Sequence, residues 1–150
     1  MNYMKMVAFT KVTSEKSSTI FTYKNSEEVN RMDNDGIVPS FMVLEAIFQT
    51  AGRVAREYSG NTRGAYVVSF SGMKMSRVIF SYEKLEIHAE LTSINQANHC
   101  FFLTISAFVG SENIIQKVRL ILKQSDDIRT DQLNNCSLVD QAKYLNEMGF

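Results

Sequence analysis

One proline, two histidines and two cysteines among 150 residues restrict the chemistry open to this chain. Any mechanism that needs an imidazole base must draw on His88 or His99. Cys100 and Cys136 form no short-spaced metal-binding pattern and are too few for a disulfide framework, so a reduced, cytoplasmic setting is the default and no bound metal is expected. Net charge is missing too: 16 lysines and arginines balance 16 acidic residues. That balance removes the long-range attraction on which binders of nucleic acid or anionic membranes rely, so neither is an expected partner. No apolar run approaches the ~20 residues of a membrane helix. The opening decapeptide Met1–Thr10 lacks the long apolar core of a signal peptide.

What is present suits one globular domain. The apolar fraction of 45% is enough for a packed core, and the length matches the commonest domain size. Residues 7–12 and 19–23 are β-branched and aromatic, and the polar stretch 13–18 between them predicts an antiparallel hairpin. Asp33-Asn34-Asp35-Gly36 is a turn cluster. A helix is expected after Pro39, with Ser40 as its hydroxyl cap, running from Phe41 to Tyr58 and ending at Gly60 or Gly64. Its first three turns are apolar nearly all round, which predicts burial on most sides. Glu45 and Gln49 are the exceptions, i,i+4 neighbours on a stripe that Arg53 and Arg56 continue.

Five strands are expected downstream, at 65–70, 73–80, 84–91, 100–109 and 114–122. In the third, Leu85, Ile87, Ala89 and Leu91 alternate with Glu86, His88 and Glu90, the pattern of one packed and one wetter face. In the tail, Ser137–Asp140 resembles a capping box, and Leu138, Ala142, Leu145 and Met148 recur at helical spacing, predicting a short C-terminal helix. Two strands, one buried helix and an antiparallel sheet form an α+β arrangement. Because most of the helix is apolar, the sheet must curl round it, as in a hotdog fold. The hotdog domain is expected over 1–124, with 125–150 as an extension of the same structural unit.

Residues 31–49 resemble the motif region of the beta-hydroxyacyl-(acyl carrier protein) dehydratases, which reads roughly His-Phe-Pro-Gly-x-Pro-Ile-Met-Pro-Gly-Val-Leu-x-x-Glu-Ala-x-x-Gln. Ile37, Pro39, Glu45, Ala46 and Gln49 match it, and Val38 and Met42 are conservative replacements. Lys74–Leu85 is similar to that family's strand, turn and strand around a Pro-Gly-Asp turn, and the likeness extends over roughly residues 5–123. The resemblance implies a homodimer or higher oligomer that takes an acyl-phosphopantetheine thioester, on acyl carrier protein or coenzyme A, with no cofactor. It implies Glu45 as the helix carboxylate that protonates the leaving hydroxyl, and the Ser40 backbone N–H as donor to the thioester oxygen. It also implies Pro39, Phe41, Phe48 and Gln49 as substrate contacts. The family's catalytic histidine falls on Arg31, whose guanidinium stays protonated up to a pKa above ~12 and cannot remove an alpha proton near neutral pH.

Each of these residues has a plainer reading. Glu45 could be a stripe residue paired with Gln49 or Arg53; against that, a carboxylate among Leu44, Ala46, Ile47 and Phe48 is expected to be desolvated, which favours the protonated form a general acid needs. Arg31 could be a neutral replacement, or it could pair with Glu45 across a dimer and hold it ionised. Phe41, Met42 and Phe48 suit a core as well as an acyl tunnel. His88 and His99 read as exposed histidines. Three functions follow: a dehydratase-like enzyme of fatty-acid or polyketide synthesis, a non-catalytic subunit whose Glu45 completes a site with a histidine-bearing paralogue, or an acyl thioesterase with Glu45 as base.

Overall fold

A computed structural model describes residues 7–22, 36–60 and 63–124. Arg31, the turn cluster at 33–35 and the whole extension 125–150, with its expected helix, lie outside the described residues. The elements run β1 (Val7–Val12), β2 (Lys16–Thr22), α1 (Ser40–Tyr58), β3 (Ala65–Ser71), β4 (Lys84–Asn95), β5 (Cys100–Val109) and β6 (Glu112–Gln124). The six strands form one antiparallel sheet in the order β1-β2-β4-β5-β6-β3. The helix packs against that sheet, giving the expected α+β hotdog architecture.

Alternation explains which face meets the helix. On β4, Leu85, Ile87 and Ala89 are buried while Glu86, His88 and Glu90 point away. On β5 the same holds for Phe101, Leu103, Ile105 and Ala107, and on β6 for Val118, Leu120 and Leu122. This inner face meets Met42, Val43, Ala46, Ile47, Ala51, Val54 and Ala55 of α1. One polar contact crosses the same seam: the Thr19 and Thr50 hydroxyls lie 2.7 Å apart, and Thr50 also donates to the Ala46 carbonyl at 2.7 Å. At the far end of the helix, the Gln124 side-chain amide donates to the Ala55 carbonyl, tying β6 to the last turns of α1.

The expected hairpin joins β1 and β2, closed by Thr13, whose Oγ1 accepts from the Lys16 N–H at 2.9 Å. Gly60, at φ +63, follows the helix as predicted.

Three expectations are corrected. Ser40 does not cap α1: Pro39 occupies the cap position, no side chain bonds there, and Ser40 is the first helical residue. Proline suits the cap because its missing N–H is not needed there and its φ of −59° is already set. The stretch 73–80 is not a strand. Gly72 turns the chain away at φ +77, and β6 is irregular at Lys117, so beyond Ser71 the stretch meets β6 through one isolated bridge, Met75 to Ile115. Finally, α1 is not buried on most sides by its own sheet. One face is, but Phe41 is 47% exposed and Leu44, Glu45, Phe48 and Gln49 are only partly covered. A single sheet curls round one side of a helix, so the remaining apolar positions stay open within the described part of one protomer.

Candidate functional site

The open face of α1 carries most of the residues singled out from sequence. Phe41, Glu45, Phe48, Gln49 and Gly52 are spaced by three and four residues, so they share a stripe. The Gln49 side-chain amide donates to Glu45 Oε1 at 3.1 Å. Phe48 reaches beyond the helix to meet the ring of Phe70 on β3 edge-on, at 5.5 Å between centroids. Glu45 is therefore a half-buried carboxylate held by one amide, with aromatic side chains one turn to either side.

Pro39 and Ser40 stand at the mouth of the helix. The first N–H groups of a helix have no partner within it, and the helix dipole makes that end attractive to negative charge. Met42 N–H does reach back to the Pro39 carbonyl, at 3.0 Å, but no described group accepts from Ser40 N–H, and no acidic residue sits in the first turn. Ser40 lies about 7 Å along the axis from Glu45, given a rise of ~1.5 Å per residue. Helical side chains lean toward the N-terminus, which brings the Glu45 carboxylate nearer to that amide. A backbone N–H donor and a carboxylate on one helix can thus reach two atoms of a short bound segment.

The mouth is held in place by Ile37 and Val38 together with Ile79, Ser81 and the Arg77 network, whose part was not visible in the sequence. Ile37 bridges Phe80, Val38 N–H donates to the Ile79 carbonyl at 2.8 Å, and Ser81 N–H donates to the Gly36 carbonyl at 2.8 Å. This short antiparallel clasp joins the helix entrance to the stretch between β3 and β4, with Ile79 fully buried beneath it. Arg77 fixes that stretch. Its guanidinium donates to both Glu83 oxygens at 2.8 Å and to Glu112 on β6 at 3.0 to 3.2 Å. Glu83 also accepts from Phe80 N–H at 2.9 Å. Arg77 first, and Phe80 N–H after it, outweigh desolvation and hold the Glu83 carboxyl below the usual carboxylate range. The available signal was Arg77, a charged residue on the apolar alternation Met73, Met75 and Ile79 of the stretch read as a strand, with Glu83 in the turn just beyond it.

The histidines are elsewhere. His88 projects from the outer face of β4, with Nδ1 3.0 Å from Ser18 Oγ and Nε2 2.9 Å from Glu86. That order copies a nucleophile, base and acid. However, Ser18 lies on β2, whose backbone is paired on both sides by β1 and β4, so no free amides are there to form an oxyanion hole. His99 sits at φ +54 in the exposed turn before β5. Neither ring is on the helix side of the sheet; His99 is exposed as expected, whereas His88 is half-buried between its two partners. Among the described residues no group of three histidine, cysteine or acidic side chains could hold a metal ion, and no helix is long and apolar enough to cross a membrane.

No protein-family model matches the chain, and no curated protein matches it in sequence. Solved structures do match in shape. The dehydratase heterocomplex ApeI:P from Xenorhabdus doucetiae superposes with a TM-score of 0.68 at 13% identity, over 91% of this chain and 93% of that one. A hypothetical thioesterase from Streptococcus pneumoniae, solved with coenzyme A, gives 0.65 at 10% identity, covering 79% of this chain and 85% of its own. A sigma28-regulated virulence protein from Campylobacter jejuni gives 0.66 at 11% identity, covering 85% and 89%. The chain has the hotdog fold. At these identities the likeness speaks for the fold and leaves the chemistry to the site.

Proposed function

We propose that this protein is a dehydratase-like hotdog protein that binds, and with a base acts on, β-hydroxyacyl thioesters carried by acyl carrier protein in fatty-acid or polyketide synthesis. The observation that carries the reading is Glu45: half-buried, held by Gln49, flanked by Phe41 and Phe48, and five residues beyond Ser40, whose N–H has no acceptor among the described residues. The Ser40 amide would hold the thioester oxygen, and protonated Glu45 would give its proton to the β-hydroxyl, which leaves as water. The alpha proton must go to a base, and the double bond then forms between the alpha and beta carbons. Pro39 and Phe41 would border the thioester, and Phe48 and Gln49 the acyl side.

Arg31 stands where the resembling family has histidine, and neither His88 nor His99 reaches this face. With no histidine on this face among the described residues, a partner would supply the base, and this chain would be the carboxylate-bearing half of a composite site. The ApeI:P heterocomplex supports this arrangement in outline. Among the described residues the apolar side of α1 is open and the outer edge of β3 has no strand partner, with Tyr66, Val68 and Phe70 exposed, which supports association with a second hotdog chain. A cytoplasmic setting belongs to the same reading.

Purified protein assayed on a β-hydroxyacyl thioester tests it. The expected result is little or no turnover alone, with turnover gained by Arg31→His or by adding a histidine-bearing hotdog partner, and lost again with Glu45→Gln. If neither addition brings turnover, the dehydratase reading falls. A second reading, acyl thioester hydrolysis with Glu45 as base on water, is favoured by the likeness to a thioesterase solved with coenzyme A. It predicts thiol release from acyl-coenzyme A by the unmodified protein, abolished by Glu45→Gln.

A further inference from the structure

The outer face of the sheet, turned away from α1, carries a groove of about 360 Å³ that the proposed thioester chemistry does not use. Its walls are Ser69 and Ser71 on β3 and Ser93 on β4, and its floor includes Phe102, Thr104 and Arg119. The register explains the grouping. Arg119 on β6 lies between Thr104 on β5 and Ser71 on β3, and one row further on Ile121 lies between Phe102 and Ser69. Hydroxyl-bearing residues therefore flank Arg119 on both sides in register, and Phe102 lies two residues along the neighbouring strand.

The charge is one-sided. No acidic residue lines the groove, and among the described residues Arg119 makes no ion pair. Lys117 and Lys123 lie on the same strand as Arg119, and all three are exposed. The nearest carboxylate in register is Glu90, across β5 next to Thr104, and it is already paired with Lys16 at 3.6 Å. In a chain of zero net charge, three cations on one strand without a facing acid form a local positive field.

We propose that this groove is a second ligand site, for a phosphate monoester on a sugar-sized polar body. Arg119 offers a planar fork that matches phosphate oxygens, and Ser71 and Thr104 can complete the cradle. The volume falls within the range of small-molecule sites and exceeds what a bare phosphate needs. Ser69 and Ser93 would meet hydroxyls of the body, and Phe102 its less polar face. Sugar phosphates and nucleoside monophosphates share this chemistry. The site lies on the opposite side of the sheet from Glu45 and stands independently of the thioester reading.

The test is titration of the full-length protein with glucose 6-phosphate, adenosine 5′-monophosphate, inorganic phosphate and glucose, followed by calorimetry and by amide shifts in nuclear magnetic resonance. At least one ester should bind and move the amides of Ser71, Thr104 and Arg119, while glucose should not. Arg119→Ala should weaken binding at least ten-fold and Arg119→Lys by less, with Glu45→Gln unaffected and the thermal transition unchanged in all three. Tighter binding of glucose 6-phosphate or of the nucleotide assigns the body. No binding of either ester at millimolar concentration, inorganic phosphate binding as tightly as both, or Arg119→Ala binding as the parent does, would each overturn the proposal.

Discussion

The two faces of α1 are built from similar residues and have different roles. Toward the sheet, Met42, Val43, Ala46, Ile47, Ala51, Val54 and Ala55 are each within 1% of complete burial. Away from it, Phe41, Leu44 and Phe48 are as apolar, yet remain partly open and share their stripe with Glu45 and Gln49. An amphipathic surface helix would turn polar on that side. Apolar residues there, grouped about one carboxylate, mark a face prepared for another occupant. The inner face specifies the fold, and the outer face is where the candidate chemistry lies.

The largest way to separate the two faces is a truncation on each. Ile47→Ala, at a fully buried position, should cost about 2 to 5 kcal/mol in urea unfolding, through lost transfer energy and a residual cavity. Phe41→Ala on the outer face should cost much less in the isolated protomer. Equal losses would mean that the outer face is core. Next comes the polar contact of the inner seam. Thr50→Val keeps the shape but leaves the buried Thr19 hydroxyl without its partner, at roughly 1 to 3 kcal/mol.

A smaller effect belongs to the clasp at the helix mouth. Glu83 is held below the usual carboxylate range by Arg77, so its contribution is present above ~4.3, the value of an unperturbed glutamate, and is lost as pH falls through its lower folded value. Glu83→Gln should therefore be less stable than the parent at pH 7, and the difference should shrink as pH falls through the lowered folded value. A difference independent of pH would show that the ion pair does not fix the clasp. The smallest and most diagnostic change is Gly52→Ala. A Cβ there meets nothing within 4 Å in one protomer, so helix propensity alone predicts a gain of roughly 0.5 to 1 kcal/mol for the monomer. A weakened oligomer alongside that gain would place a second chain against the stripe.

Much of this was legible in the sequence. Strict alternation in Leu85–Leu91 and the apolar run from Phe41 placed the sheet, the helix and their contact, because burial and periodicity are local properties. The position of Glu45 beside Gln49 followed from helical spacing. What remained hidden depended on tertiary context. Apolar residues round α1 could not distinguish burial by its own sheet from a face left for a partner. The run 73–80 has the composition of a strand but makes only isolated bridges, with positive φ at Gly72 and at Lys117 where the ladder of β3 and β6 ends. The Arg77 network and the Arg119 groove join residues from separate strands, so only the register brings them together.

The account rests on Glu45 as a functional carboxylate on the open face and not a member of the fold. Glu45→Gln should leave the urea midpoint within about 0.5 kcal/mol of the parent, as expected for a substitution outside the core. In the same preparation it should abolish the turnover of β-hydroxyacyl thioester gained with Arg31→His or with a histidine-bearing partner. A variant that keeps that turnover, or one that loses it only by unfolding, would contradict the account.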